Sequence, residues 1–164
     1  MADFRGPLKG WLIVKYPYSC YGYTRGGGKV WHGGIDVGTR VQDDQTLYMP
    51  YYNGEKEIRG TVVQARRVLS HLNRTWEWGF YVCVKFDSNQ TPDPVNYLYF
   101  CHCSKLLVKK GDRVKSGDAL AVLGNTGNAA GGWKHVHLEA RKNATSGPVC
   151  PTAYSGTKNV AGVY

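Results

Sequence analysis

The segment Phe80-Tyr81-Val82-Cys83-Val84-Lys85-Phe86 leaves this chain few folds to choose from. It is dominated by β-branched and aromatic residues, which suit a pleated strand and fit a helix poorly. Turn chemistry follows at once in Ser88-Asn89-Gln90-Thr91-Pro92-Asp93-Pro94. A second aromatic run, Tyr97 to Cys103, comes next. The two runs read as an antiparallel hairpin with a longish loop. Further strands are expected at Leu12-Ile13-Val14, Thr61 to Ala65, Ala119 to Leu123 and Val136 to Ala140. Gly26-Gly27-Gly28 reads as a flexible loop, and Gly124 to Gly132 as a loop of small residues. Lys110-Gly111-Asp112 and Ser116-Gly117-Asp118 are turns on either side of a short basic segment. The only helical expectation is one turn over Val68 to Arg74. With 21 glycines and 12 tyrosines, composition also favours strands and turns. A mainly antiparallel β domain is expected, with residues 1–164 forming a single domain.

The bulk properties exclude several classes. A hydrophobic content of 42% belongs to a globular chain, not a disordered one. No run reaches the ~18 apolar residues needed to cross a bilayer. The start, Met1-Ala2-Asp3-Phe4-Arg5-Gly6-Pro7, lacks the parts of a secretory signal. Either this is the mature form of a secreted protein, or the protein is made in a cytoplasm and leaves by another route. The five cysteines, Cys20, Cys83, Cys101, Cys103 and Cys150, are an odd set and read as reduced thiols. A net charge of +9 favours polyanionic partners, either nucleic acid or an acidic wall polymer. Lys and Arg are spread along the chain without a basic run, so no nucleic-acid partner is expected.

The chemistry sits in the histidines. In His135-Val136-His137, residues two apart in a strand project from one face, so both imidazoles reach one space. That spacing serves a metal, and it equally suits two histidines on a solvated face. His32-Gly33-Gly34-Ile35-Asp36 brings an imidazole and a carboxylate together, with glycines that let the backbone bend between them. A glycine turn with an idle histidine has the same pattern. In Phe100-Cys101-His102-Cys103, alternation turns His102 opposite to both cysteines. A thiolate zinc site there lacks the usual two-residue spacing. His71 fits no motif and reads as a surface residue. Trp76, Trp78 and Trp133 suit either a substrate groove or ordinary packing.

Taken together and in order, these pieces resemble the lysostaphin-type zinc endopeptidases. His32-Gly33-Gly34-Ile35-Asp36 matches that family's His-x-Gly-x-Asp opening. His102-Cys103-Ser104 and the hairpin Val108 to Gly117 stand where the family has a His-Leu-Ser and a Gly-Asp hairpin. The glycine-rich loop from Gly124, then His135-Val136-His137-Leu138-Glu139, matches its His-x-His close. The likeness covers roughly residues 30–141. Departures are Gly132-Trp133-Lys134 before His135, Phe100 for Tyr, Cys103 for Leu, and local insertions at 51–60 and 66–78.

The resemblance implies an antiparallel β-sheet or partial barrel with a loop-walled groove, the duplicated hybrid motif fold. It implies one zinc per chain held by His32, Asp36 and His137, with His102 and His135 as catalytic histidines; Glu139, two residues past the ligand and so on its face, reads equally as a partner of that histidine or as a plain surface residue. The implied activity is endopeptidase hydrolysis of peptidoglycan crosslinks or stem peptides, in a bacteriophage lysin or virion-associated wall hydrolase. An inactive wall-binding or structural module of the same fold is the alternative. The Lys110 to Gly117 hairpin also resembles biotinyl and lipoyl carriers, but no modifiable lysine tip follows it.

Overall fold

The protein is described by a computed structural model covering residues 6–164. The reading of the N-terminus rests in part on Met1 to Arg5, which lie outside the described residues. The first strands are β1 (Leu12–Val14), β2 (Gly22–Arg25), β3 (Val30–His32), β4 (Ile35–Thr39) and β5 (Thr46–Tyr48). The long central strands are β6 (Arg59–Arg67), β7 (Phe80–Phe86) and β8 (Tyr97–Cys103). Then come β9 (Lys105–Leu106), β10 (Arg113–Lys115), β11 (Ala119–Val122), β12 (Val136–Arg141), β13 (Pro148–Val149) and β14 (Gly162–Val163).

The main sheet runs β10-β6-β7-β8-β12-β4-β1-β14, with β13 on β12. It is an open, antiparallel sheet, so the mainly β expectation holds without barrel closure among the described residues. A small sheet, β5-β11-β9, sends Leu47, Leu120 and Ala121 into the same core as the main sheet's Ile35, Val82, Val84, Leu98, Phe100, Val136 and Leu138. The expected hairpin is β7 with β8. The expected helical turn moves along the chain: Arg74–Trp78 forms a 3-10 turn, capped by Asn73, whose side chain accepts from the Thr75 N–H. The cap explains the shift, because an asparagine side chain satisfies a free N–H at a turn start.

The two faces of the sheet differ in kind. Alternate residues of β7, β8 and β12 enter the main core, while Tyr81, Cys83, Tyr99 and Cys101 form a second buried cluster on the opposite face. His137 pairs with Cys101, and Glu139 with Tyr99, so the last histidine of the chain lies on this second face.

Here the expectation for Cys101 and Cys103 is corrected. Strict alternation would turn both away from His102. The His102 backbone instead has φ 69°, in the left-handed region, and the β7–β8 register slips between Phe80 and Val82. This bulge resets the pleat. Cys103 falls into the main core, while Cys101 lies on the other face across from His137. All five cysteines are free. Burial pushes the Cys103 thiol up to about 12 and Cys101 well above its ordinary value, so both behave as small apolar residues.

Gly34 shows how tightly β4 meets β12. A Cβ there would lie 2.3 Å from the Leu138 carbonyl oxygen and 2.9 Å from His137 Cε1. The carbonyl is main chain and cannot swing aside. Gly34→Ala is expected to cost at least about 3 kcal/mol, at the upper end of overpacking. For a domain of this size, Tm should fall by roughly 6–12 °C. A thermal melt within about 2 °C of wild type would show that the two strands separate more easily than this contact implies.

Candidate metal centre

His32 closes β3, Asp36 lies in β4, and His137 lies in β12 beside it, paired directly with Asp36. All three are buried. His32 Nε2 lies 3.1 Å from His137 Nδ1. Asp36 Oδ1 lies 3.1 Å from His137 Nδ1 and 3.4 Å from His32 Nε2. One donor atom from each residue thus falls within 4.8 Å of the others. No cysteine joins this cluster.

The surrounding hydrogen bonds settle which nitrogens face inward. His32 Nδ1 donates to the Cys20 carbonyl at 2.8 Å, leaving Nε2 as the free nitrogen. His137 Nε2 donates to Glu139 Oε1 at 2.9 Å, leaving Nδ1 toward Asp36 and His32. Arg141 in turn donates to Glu139 and stacks over Trp78 and Tyr99. Orientation of ligand histidines by carbonyls and carboxylates is the usual support of a metal site. Two imidazole nitrogens and one carboxylate oxygen, with three protein donors in all, fit zinc and leave a fourth position.

The buried charges of the cluster compensate one another. Burial works against the Asp36 carboxylate, but hydrogen bonds with His137 and His32 outweigh it and hold the group well below the carboxylate range. Burial also opposes charge on His137, yet its bonds with Asp36 and Glu139 raise it to about 9. Glu139 is a buried carboxylate, not a surface one, and it too is held low by His137 and Arg141 against the effect of burial.

His102 and His135 join the same space. Their rings are 5.1 Å apart, and His135 Nε2 lies 3.8 Å from Asp36 Oδ1. Each Nδ1 donates to a backbone carbonyl: His102 to Thr126 at 2.8 Å, His135 to Trp133 at 2.9 Å. Each therefore turns Nε2 away from its anchor. Burial, with His137 and His135 close by, pushes His102 down to about 3. Burial likewise lowers His135. Burial thus shifts both toward the neutral form.

These groups line an open cleft of about 900 Å³. Trp31, Trp78 and Trp133 stand in its walls, and Trp133 stacks on His135. Trp76 is not among the lining residues; it stacks on His71, which is exposed as expected. Arg25 was missed in the sequence. Its Nη2 donates to Asp36 Oδ2 at 2.9 Å. The signal was there in Gly26-Gly27-Gly28, which forms a hydrogen-bonded hairpin turn between β2 and β3 and not simply a flexible loop.

The site is of the open, three-donor kind associated with hydrolytic metal centres, on an open β-sheet. The profile of peptidase family M23 matches residues 32–149. The chain belongs to peptidase family M23, in agreement with the lysostaphin-type resemblance. Among solved structures, it is similar to the catalytic domain, solved as a point mutant, of the prophage-encoded M23 protein EnpA from Enterococcus faecalis, with TM-score 0.64 and 25% identity over 91% of this chain and 96% of that one. The lysostaphin catalytic domain from Staphylococcus simulans gives TM-score 0.59 and 22% identity over 82% of this chain and 86% of that one. A chain of the SpoIIQ–SpoIIIAH pore-forming complex gives 0.60 and 19%, over 92% and 89% respectively.

Proposed function

We propose that this protein is a zinc-dependent endopeptidase that hydrolyses peptide bonds of bacterial cell-wall peptidoglycan. The observation that carries the reading is the convergence of His32, Asp36, His137, His102 and His135 on one cleft, each histidine anchored through one nitrogen. A fold of this kind also occurs in a pore-forming complex, so the fold alone does not carry the activity. The complete set of side chains favours an enzyme over an inactive wall-binding or structural module.

In this reading His32 Nε2, Asp36 Oδ1 and His137 Nδ1 hold one zinc. When bound, the zinc would supply Lewis-acid polarisation of a scissile carbonyl and of the attacking water. The chain's own residues do the rest. His102 and His135 are shifted toward the neutral form and present Nε2, so either can take a proton from the nucleophile and return it to the departing amine. Their backbone anchors fix the rings so that no reorientation precedes the transfer. The aromatic walls offer flat surfaces to peptide or sugar, and the net charge of +9 suits an anionic wall. A bacteriophage setting, as a lysin acting after synthesis in the host cytoplasm or as a virion-associated hydrolase, belongs to the same proposal. Kinship with a prophage-encoded protein supports it.

The test is purified peptidoglycan incubated with the protein, with released fragments read by mass spectrometry. Fragments carrying new amino termini are expected, lost with a chelator and regained with zinc, at about one zinc per chain. Undiminished cleavage by protein free of divalent metal would refute the zinc assignment. Intact crosslinks and stem peptides after digestion with zinc-loaded protein would refute the substrate.

A further inference from the structure

Arg25 is used neither by the sequence motifs nor by the chemistry above. It ends β2 just before the Gly26-Gly27-Gly28 turn, whose φ values are 56°, 70° and 89°. The Arg25 carbonyl accepts from the Gly28 and Lys29 N–H groups at 3.0 and 3.1 Å. The β2–β3 register slips between Tyr23 and Arg25, a bulge of the sort that re-aims a side chain. The guanidinium is then held at two points. Nε donates to the Tyr18 carbonyl at 3.0 Å, and Nη2 donates to Asp36 Oδ2 at 2.9 Å.

The two oxygens of Asp36 consequently face different partners. Oδ1 faces His32 Nε2, His137 Nδ1 and His135 Nε2 at 3.4, 3.1 and 3.8 Å. Oδ2 is taken by Arg25. As a stabilising ion pair this contact counts for little, because the Arg25 side chain is 41% exposed and screened by solvent. Its effect on Asp36 is geometric. A carboxylate with both oxygens free can grip a metal with both, filling the position that water or substrate must occupy. One whose second oxygen is bonded elsewhere offers a single donor.

We propose that Arg25 is a positioning residue that caps Asp36 Oδ2, keeps Asp36 a one-oxygen ligand and so holds a metal position open to the cleft. The proposal rests on the reading of His32, Asp36 and His137 as ligands. The three glycines thereby gain a purpose: they form the turn that delivers Arg25 to Asp36.

The experiment is cobalt(II) substitution of the wild type, Arg25→Met and Arg25→Lys, with visible spectra, zinc competition and steady-state kinetics on peptidoglycan peptides. Four-coordinate cobalt absorbs more strongly than five- or six-coordinate cobalt, so Arg25→Met should weaken the visible bands while circular dichroism stays that of the wild type. Its kcat should fall by ~10–100-fold, as for other partners of metal ligands, with KM nearly unchanged. Arg25→Lys retains a donor for Oδ2 and should recover much of the spectrum. A well-folded Arg25→Met with the wild-type cobalt spectrum and kcat would overturn the role of Arg25 and leave the peptidase reading intact. A wild type that takes up neither cobalt nor zinc would overturn both.

Discussion

His137→Ala should strip the protein of zinc and leave peptidoglycan hydrolysis at background. His137 supplies Nδ1 to the donor cluster and stands directly beside Asp36 in the sheet. Losing it leaves two donors, His32 and Asp36, too few for a stable catalytic zinc site. The loss in affinity should exceed the ~10–100-fold that outer partners of a ligand typically cost. The substitution also removes a partner from two buried carboxylates. Asp36 keeps Arg25 and His32, and Glu139 keeps Arg141, so neither is orphaned. The expected cost to the metal-free fold is therefore about 1–3 kcal/mol, not the ~3–5 kcal/mol of a buried charge left alone. Asp36→Asn keeps the shape, removes the charge and should lose zinc with less disturbance. Metal analysis after gel filtration, beside circular dichroism, separates these effects. A folded His137→Ala that retains one zinc at wild-type affinity would remove His137 from the ligand set.

Replacing His135 or His102 should leave the zinc in place and lower turnover by ~10²–10⁴-fold, the range for loss of a general acid or base. His135 lies only 3.8 Å from Asp36 Oδ1, so its division from His137 needs a direct test. His135→Ala that loses zinc as fully as His137→Ala would make it a ligand. For His102 the choice of substitution follows from its backbone. At φ 69° an asparagine is tolerated better than most residues, so His102→Asn probes the imidazole with little added strain. Because the lost interaction belongs to the transition state, kcat and kcat/KM should fall together while KM holds. Zinc stoichiometry and kinetics on the same preparations decide both cases. Unchanged kcat in His102→Asn would take His102 out of the reaction.

Much of the strand pattern was legible because it depends on local chemistry. Phe80–Phe86 and Tyr97–Cys103 form strands at the expected limits, and Val136 and Leu138 turn into the core as alternation requires. Where alternation failed, at His102, a single left-handed residue was responsible, and residue type gives only a weak sign of it.

The β character and the run of strands were legible because period and residue type are local properties, whereas the five polar residues that gather in the cleft were pointed to as a set only by the resemblance to a known family. Their arrangement depends on long-range strand pairing. Asp36 and His137 are joined by the pairing of β4 with β12, a contact across about a hundred residues of chain that no local rule encodes, and His32 enters from the end of β3, which pairs with β2. The same holds for the backbone carbonyls of Cys20, Thr126 and Trp133 that orient the rings, since any residue carries a carbonyl and its sequence leaves no mark. Arg25 reached Asp36 through a glycine turn and a bulge, and only the folded chain shows which way that bulge points.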